Sequence, residues 1–377
     1  MTQSVIHRTV AAAAILAMVS SMAVAQPAKP KTHNVIFVMT DGLRWQEVFQ
    51  GAEPVLMTKG NGGGSGIAAL QRAYGRDTET ARREALMPFL WTVIARHGQI
   101  YGNRKLGSEA YVTNGQNFSY PGYSETLCGF ADPRIDSNDR KPNPNVTVME
   151  WLHNKPAFRG KVAAFSAWDV LPYILNAERA GFPVVAGWEP LTSIPMTPQL
   201  EMIDIMKARL PRVWEDEPFD ALPFQTALEY LKASKPRVVY LSLGETDDWA
   251  HAGNYRLYLD AAHRVDAYLQ TLWETAQSMP EYRDTTTLIF STDHGRGKGP
   301  KNWKNHGRKI PDSKDIWMAF LGPDTKPLGE RAHIPAVRQS QIAATLVALL
   351  GEDYAAAQPK AGKPILEVLP SSPGPIR

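Results

Sequence analysis

The sequence predicts an α/β fold: a doubly wound, mostly parallel sheet with helices on both faces and a cap insertion. Short apolar or β-branched runs alternate with amphipathic segments of helical period, and each run ends abruptly in polar residues. Strands that alternate with helices are typical of a parallel sheet covered on both faces. Because ligands bind beyond the carboxyl ends of such strands, the residues directly after each run are the first candidates for a site.

Five runs are predicted to be buried strands because they are short, apolar and rich in β-branched residues. They are Asn34–Thr40, Val162–Ser166, Val238–Leu243, Thr287–Thr292 and Ile316–Leu321. The main segments of helical period are Glu79–Arg96, Val146–His153, Pro198–Ala208, Thr226–Ala233, Tyr255–Ser278 and Gln339–Leu350. The alternation of these two sets along the chain is what predicts the parallel sheet.

Two segments fall outside this alternation. Asp169–Pro223 is rich in proline and tryptophan and poor in strand signal, which predicts a cap over the site. Gly60–Gly66 is glycine-rich, but it lacks the Lys-Ser/Thr ending of a phosphate-binding P-loop and does not directly follow a predicted strand. An insertion loop is therefore the preferred interpretation of the glycine-rich stretch.

Residues 1–25 are predicted to be a secretory signal peptide. His7 and Arg8 precede an apolar run from Val10 to Met22, and Ala23-Val24-Ala25 supplies small residues for cleavage. We therefore expect a catalytic domain over residues 26–377, released near Ala25 into the periplasm or outside the cell. An uncleaved anchor is the alternative, although the apolar run is short for a bilayer span. No membrane span is expected in the mature chain.

Charge and cysteine content narrow the chemistry. The sequence has 41 basic and 38 acidic residues, a balance too even to indicate specific nucleic-acid binding. Cys128 is the single cysteine, which excludes an internal disulfide and a multi-cysteine metal site. Any metal ligands must therefore be Asp, Glu or His.

Three predicted strands are each followed by a carboxylate: Asp41, Asp247 and Asp293. Parallel strands would bring all three acids to one edge of the sheet, where like charges repel unless a cation neutralises them. Histidines accompany these acids at His294, directly after Asp293, and at His251, four residues after Asp247. A further histidine follows in the segment NWKNHG, at His306.

Carboxylates together with imidazoles make a mixed oxygen and nitrogen ligand set, which suits zinc, with manganese as its competitor. Calcium and magnesium prefer sites richer in oxygen. The six ligands are too many for one tetrahedral zinc but fit two divalent ions. The sequence therefore predicts a site for two metal ions.

The segments MTDG, SYPGYSE, ETDDWAH, STDHG and NHG occur in this order along the chain. This series resembles the motif set of the alkaline phosphatase superfamily, especially its type I phosphodiesterase/nucleotide pyrophosphatase branch. The resemblance covers roughly residues 34–351, and five motifs in order are far more specific than any one of them. It implies a hydrolase that acts on a small-molecule phosphoester.

Carried over to this chain, the resemblance implies that Asp247, His251 and His306 bind one zinc ion, while Asp41, Asp293 and His294 bind the other. It also implies that Ser119 is the nucleophile and a metal ligand, and that the reaction proceeds through a phosphoserine. Pro121 suits a first helical position, so the Ser119 hydroxyl is expected at a helix N-terminus, which favours an alkoxide. Thr113 and Ser124 are the fallback nucleophiles.

Gly122 departs from the family pattern, in which an Asn contacts a phosphoryl oxygen. The contact is therefore either lost or supplied by Asn114 or Asn117. Lys301 and Lys304, in the basic loop between two ligand motifs, are further candidates for substrate binding, with a solvated loop as the alternative. Tryptophans near the predicted ligands, Trp45, Trp249 and Trp303, are assigned to packing rather than to stacking on substrate.

The resulting interpretation is an exported phosphodiesterase with two metal ions. A phosphomonoesterase using the same site is the first alternative, and a catalytically impaired metal-binding protein is the second. A sulfatase is disfavoured because Cys128 is followed by Gly-Phe-Ala-Asp-Pro rather than by the formylglycine motif. A cofactor-independent phosphoglycerate mutase is also disfavoured, because its substrate is cytoplasmic and this chain has a predicted export signal.

Overall fold

The protein is described by a computed structural model that covers residues 29–370, so the predicted signal peptide lies outside the described residues. The strands are β1 Asn34–Thr40, β2 Gln99–Tyr101, β3 Ala110–Tyr111, β4 Val162–Ser166, β5 Val184–Ala186, β6 Val238–Leu243, β7 Thr286–Thr292, β8 Met318–Leu321, β9 Gly329–Glu330 and β10 Val337–Arg338. The five predicted strands are confirmed as β1, β4, β6, β7 and β8.

Helices connect the strands and pack on the sheet. They are α1 Trp45–Gln50, α2 Ile67–Tyr74, α3 Glu79–Leu86, α4 Ala95–His97, α5 Ser119–Cys128, α6 Val148–His153, α7 Leu171–Ile174, α8 Ala177–Ala180, α9 Pro198–Arg209, α10 Ala221–Ser234, α11 Glu245–His251, α12 Tyr255–Ser278, α13 Gly299–Asn302 and α14 Ile342–Leu349. Short 3-10 turns occur at Gly64–Gly66, Arg104–Leu106, Pro311–Lys314, Gln339–Gln341 and Leu366–Val368. None of the described helices is both long enough and apolar enough to cross a bilayer.

The eight-stranded sheet has the order β5-β4-β6-β1-β7-β8-β2-β9. β1 lies between β6 and β7 and runs parallel to both, whereas β8 pairs antiparallel with β7 and with β2. This confirms the mostly parallel α/β fold. In register, Thr40 of β1 lies opposite Leu243 of β6 and Thr292 of β7, so these three strands end level at one edge of the sheet.

Apolar clusters cover both faces of the sheet, as a doubly wound fold requires. Alternate residues of β1 divide between the clusters: Ile36 and Val38 belong to one, and Val35, Phe37 and Met39 to the other. Every residue of β1 is buried, which explains why the strand appears in the sequence as an uninterrupted apolar run.

The predicted helix over residues 79–96 is broken, and this part of the prediction was wrong. α3 ends at Leu86, and a π-helical turn, Leu90–Ile94, follows. Pro88 explains the break, since proline disfavours the helical conformation in the residue before it and lacks an N–H to donate. Asp266 of α12 caps the new start by accepting the N–H groups of Phe89 and Leu90 at 2.7 and 2.8 Å.

The segment 169–223, predicted to be a cap, begins as part of the main fold. Its strand β5 pairs in parallel with β4 and forms one edge of the sheet. The weak strand signal is explained by the length of β5, which has only three residues. The prediction that the remainder of the segment covers the site stays a prediction.

Candidate active site

The level ends of β1, β6 and β7 bring together the acids that the sequence places after them. Asp41 directly follows β1, and Asp293 and His294 directly follow β7. β6 leads into α11, where Asp247 and His251 are four residues apart and therefore lie on one face of the helix. His306 reaches the same place from the loop after α13.

One group of ligand atoms is almost completely buried. His294 Nε2 lies 3.3 Å from Asp41 Oδ1 and 3.4 Å from Asp293 Oδ2. The Gly42 N–H donates to the other Asp293 oxygen, Oδ1, at 3.0 Å. Asp41 Oδ1 and Asp293 Oδ2 are buried and have no hydrogen-bond partner among the described residues. A native structure rarely leaves buried carboxylate oxygens unpaired, so these two atoms are suited to bind a cation.

A second group lies beside the first and opens to solvent. His251 Nε2 lies 3.0 Å from Asp247 Oδ2 and 2.9 Å from His306 Nε2. His306 Nε2 is 3.7 Å from Asp247 Oδ1. The side chain of His251 is 48% exposed, whereas that of His294 is fully buried. All six predicted ligands thus converge, and the exposed rim of the cluster is formed by His251.

Backbone carbonyls orient two of the imidazoles for metal binding. His306 Nδ1 lies 3.2 Å from the carbonyl of Asn117, and His294 Nδ1 lies 2.9 Å from that of Gly295. A proton on each Nδ1 would satisfy these carbonyls and leave Nε2 with a free lone pair. Both Nε2 atoms face the carboxylates.

The charges of the cluster are not balanced by the protein alone. Burial, reinforced by the nearby Asp247, raises the pKa of Asp41 to about 7. Burial and the charge of Asp41 raise the pKa of Asp293 well above its usual range. Burial also lowers the pKa of His294 to about 4 and of His306 to about 3, so both imidazoles are neutral at pH 7. Neutral imidazoles beside crowded carboxylates are the ligand states that divalent metals require.

The donor atoms therefore fit divalent cations. Two sets of three side chains each bring their ligand atoms within 4.8 Å of one another: Asp41, Asp293 and His294, and Asp247, His294 and His306. His294 belongs to both sets, and His251 lies against the second set. Mixed carboxylate and imidazole ligands favour zinc.

Ser119 lies at the first position of α5 and faces the buried group. Its side-chain oxygen is 3.5 Å from His294 Nε2, and the residue is 6% exposed. The helix begins two residues earlier than Pro121 suggested, which costs little because N–H groups in a first helical turn have no partner within the helix. The hydroxyl thus lies at the positive end of a ten-residue helix.

The fallback nucleophiles have other partners. The Thr113 hydroxyl donates to Glu125 Oε1 at 2.7 Å. The Ser124 hydroxyl is buried and accepts from Asn143 Nδ2 at 3.0 Å. Neither hydroxyl is bonded to a predicted ligand, whereas that of Ser119 is.

Gly122 has a steric explanation. A Cβ at this position would overlap the backbone carbonyl of Asp293, one of the predicted ligands. The tight contact brings α5 against the end of β7, and it excludes the Asn side chain that the family pattern places here. The structure thus explains the absence of Asn here, and the two predicted alternatives remain, a lost phosphoryl contact or one supplied by another residue.

The two asparagines proposed as replacements differ in their surroundings. Asn114 is fully engaged, since its Nδ2 donates to Glu125 at 3.0 Å and its Oδ1 accepts two backbone N–H groups. Asn117 is buried, has a positive φ of 54°, and its Oδ1 has no partner among the described residues. Asn117 also holds His306 through its carbonyl, so it lies beside the second group of ligands.

The two lysines also differ. Lys301 is exposed on α13. Lys304 is half-buried, and its side chain lies over Gly253, because a Cβ there would be 3.7 Å from Lys304 Nζ. Trp303 between them is fully buried against Tyr255 and Tyr258, in agreement with packing.

Arg296 lies in the candidate site, although the sequence analysis assigned it no role. Its guanidinium is buried and contacts Asp247 Oδ1 directly. Arg296 also donates to the carbonyls of Trp303, at 3.1 Å, and Lys304, at 2.5 Å, and thereby ties the loop that carries His306 to Asp247. Although burial acts to raise the pKa of Asp247, Arg296 and His306 outweigh it and hold this pKa well below its usual range. The sequence feature that could have indicated a role for Arg296 is its position two residues after His294.

Comparisons with known proteins identify a family and a fold. The model of the family described as type I phosphodiesterase/nucleotide pyrophosphatase matches residues 103–362. A probable 2,3-bisphosphoglycerate-independent phosphoglycerate mutase from Leptospira interrogans is 22% identical over 294 residues, which are 69% of this chain and 50% of that protein. The chain thus spans about half the length of the curated relatives that it matches.

Two solved structures have the same fold. The wild-type alkaline phosphatase PafA superposes with a TM-score of 0.56 at 12% identity, over 91% of this chain and 100% of that one. A protein of the alkaline phosphatase superfamily from Vibrio parahaemolyticus gives 0.53 at 15% identity, over 91% of this chain and 71% of that one. At these identities the likeness concerns the fold alone.

Proposed function

The chain belongs to the type I phosphodiesterase/nucleotide pyrophosphatase family, and from this membership we propose that it is an exported, metal-dependent phosphodiesterase with Ser119 as its nucleophile. Family and fold place it among the phosphoester hydrolases of the alkaline phosphatase superfamily. The observation that carries the proposal is the Ser119 hydroxyl at the start of α5, beside His294 and two unpaired carboxylate oxygens.

In this proposal Asp41, Asp293 and His294 hold one zinc ion, and Asp247, His251 and His306 hold the other. Bound metal ions would neutralise the carboxylates, lower the pKa of the Ser119 hydroxyl and stabilise charge on the leaving oxygen. The protein contributes rigidity, because the ligands are fixed by strand ends, by α11 and by backbone hydrogen bonds to the imidazoles.

The reaction has two steps. The Ser119 hydroxyl gives its proton to solvent, and Oγ forms a bond to phosphorus while the bond from phosphorus to the leaving oxygen breaks. Water then attacks the phosphoserine, which releases phosphate or a phosphomonoester and returns a proton to Ser119 Oγ. The positive end of α5 favours the oxyanion of Ser119 in both steps.

Asn117 is the residue that we assign to a phosphoryl oxygen, in place of the side chain that Gly122 cannot carry. It is buried, lies two residues before Ser119 in the loop that leads into α5, and its side-chain oxygen has no protein partner among residues 29–370. An Asn side-chain amide can rotate, so its N–H₂ group can donate to the substrate from this position.

The test is hydrolysis of bis-p-nitrophenyl phosphate compared with p-nitrophenyl phosphate, by the zinc-loaded protein from Gln26 onward. We expect turnover that a chelator abolishes and that favours the diester. Preference for the monoester would make the protein a phosphomonoesterase. Failure on both substrates with metal bound would favour the metal-binding protein without this activity.

Replacement of the nucleophile tests the role of Ser119. Ser119→Ala should lower turnover by roughly 10³-fold or more, because removal of a nucleophile leaves only binding and electrostatic effects. Metal content should not change, since six other side chains remain as ligands. Full activity in Ser119→Ala would transfer the role to Thr113 or Ser124.

A further inference from the structure

A polar cavity adjoins the residues that directly follow His251 and has no role in the reaction just described. Its volume is about 440 Å³, and it lies between the glycine-rich segment Lys59–Gly66 and the chain from Ala252 to Leu257, where α12 begins. We call it the glycine-loop pocket. The sequence favoured an insertion loop over a phosphate-binding P-loop for this segment, and the contacts of the segment now bear on that choice.

The glycine-rich segment is held against α12 by specific contacts. The Tyr255 N–H donates to the carbonyl of Gly62 at 3.1 Å, and the Gly63 N–H donates to that of Thr58 at 3.0 Å. Gly62 has a φ of +120°, and a Cβ there would be 2.9 Å from Tyr255 Cβ and 3.1 Å from Trp303. Only glycine allows this close approach, so the wall of the pocket has a defined position.

The pocket is basic. Lys59 and Arg256 line it, and no carboxylate does. The aliphatic stem of Lys304 lies over Gly253 at its border, which adds a third cation. Among the described residues neither Lys59 nor Lys304 has an ion-pair partner, and Arg256 has one loose contact, with Asp260 at 3.5 Å. Glycines in the wall also leave peptide groups open to a ligand.

The pocket begins where the exposed group of ligands ends. Ala252 and Gly253 directly follow His251, at about 3.8 Å per residue between Cα atoms. Lys304 precedes His306 by two residues. In an in-line displacement the leaving group departs opposite the nucleophile. Because Ser119 faces the buried group, the proposed leaving group departs toward the second group of ligands, which includes His251, and the residues that follow His251 line the pocket.

We propose that the glycine-loop pocket binds a second anionic group of the substrate, located on the leaving-group side of the reacting phosphorus. The inference rests on the proposed function and deepens it: preferred substrates carry an additional phosphate, sulfate or carboxylate beyond the scissile bond. Lys59 and Arg256 are the residues that recognise this group, and Lys304 adds positive charge between them and the site.

The proposal can be tested by equilibrium binding, independently of turnover. Phenylphosphonate and 4-phosphonobenzoate are suitable non-hydrolysable probes, because they share a phosphonate for the metal site and differ by one carboxylate. Calorimetric titration of the zinc-loaded protein should give about tenfold tighter binding of 4-phosphonobenzoate, as expected for a charge-assisted contact. The Lys59→Ala/Arg256→Ala variant should reduce this ratio to about one and leave the affinity for phenylphosphonate unchanged.

Lys326→Ala is the matched control, because it removes an exposed lysine outside the pocket and should keep the ratio. Equal affinities of the wild-type protein for the two probes, or an unchanged ratio in the double variant, would overturn the pocket proposal while the proposed function stands. Failure of phenylphosphonate itself to bind would overturn the proposed function, and the pocket proposal with it. Phenylphosphonates that carry a phosphate, a sulfate or a carboxylate group then show which of these three groups the pocket prefers.

Discussion

Two polar clusters, each with a buried centre, lie close together after β1, and they differ in whether their buried groups have partners within the protein. The first is the ligand cluster, formed by the six predicted metal ligands. The second is the Arg44 network, formed by Arg44, Glu47, Glu53, Tyr255 and Tyr258. Asp41 of the first cluster and Arg44 of the second are only three residues apart, and both lie in the loop that leads into α1.

The Arg44 network is complete within the protein. Arg44 donates to Glu47 through Nε at 2.8 Å, to Glu53 at 2.8 Å and to the carbonyl of Gly297 at 3.1 Å. Glu47 also accepts from the hydroxyls of Tyr255, at 2.8 Å, and Tyr258, at 3.3 Å. The side chains of Arg44 and Glu47 are fully buried and contact each other as opposite charges, whereas the side chain of Glu53 is 30% exposed.

The ligand cluster has excess negative charge and unpaired oxygens instead. Asp41 and Asp293 each leave one buried oxygen without a partner among the described residues. A complete buried network stabilises the fold, whereas buried oxygens without protein partners are suited to bind a ligand. Substitutions in the two clusters should therefore have different consequences.

In the ligand cluster, the expected effect is the loss of metal in Asp293→Asn. Replacing a ligand carboxylate by an amide should lower the affinity of its metal at least about 100-fold, because even residues that only support ligands contribute 10- to 100-fold. Metal content measured by atomic emission should fall below two ions per chain, and turnover should fall with it. Asp139→Asn changes an exposed acid and serves as the control. Two tightly bound ions in Asp293→Asn would contradict the ligand assignment.

Glu47→Gln should affect stability rather than metal binding. Removing one partner of a buried ion pair typically costs about 3–5 kcal/mol, because the remaining charge is left uncompensated. Urea denaturation of the metal-free protein should show this loss, while metal content in the folded variant stays unchanged. The matched control is Glu79→Gln, which breaks the exposed Lys105 pair and should cost less than about 1 kcal/mol. Similar losses of unfolding free energy in the two variants would contradict the stabilising role of the Arg44 network.

The smallest effect is expected at the contact between α5 and the ligand cluster. Gly122→Ala places a methyl group against the carbonyl of Asp293 and should cost about 1–3 kcal/mol, as overpacking typically does. Metal affinity should fall with it, because Asp293 must shift. Gly60→Ala is the control, since a Cβ at Gly60 has no neighbour within 4 Å. Unchanged stability and metal affinity in Gly122→Ala would show that α5 moves without disturbing the ligands.

Local features of the sequence predicted much of the fold. The predicted strand over residues 34–40 matches β1, and α12 begins at Tyr255 and ends at Ser278 as predicted. Both elements have a strong pattern, one an uninterrupted apolar run and the other a long amphipathic period. The helix over residues 79–96 failed because Pro88 overrides its period locally, and β5 was missed because three residues carry almost no pattern.

Residue identity and local period were sufficient to predict five of the strands, the ligand types at the strand ends and the family motifs. The three-dimensional fold was needed to show which oxygens lack partners, that Arg296 contacts Asp247 and that Gly122 touches Asp293. It also brought the glycine-rich segment to the residues that follow His251, about 190 residues away along the chain. Such contacts join residues far apart in sequence, and no local pattern encodes the distance between them.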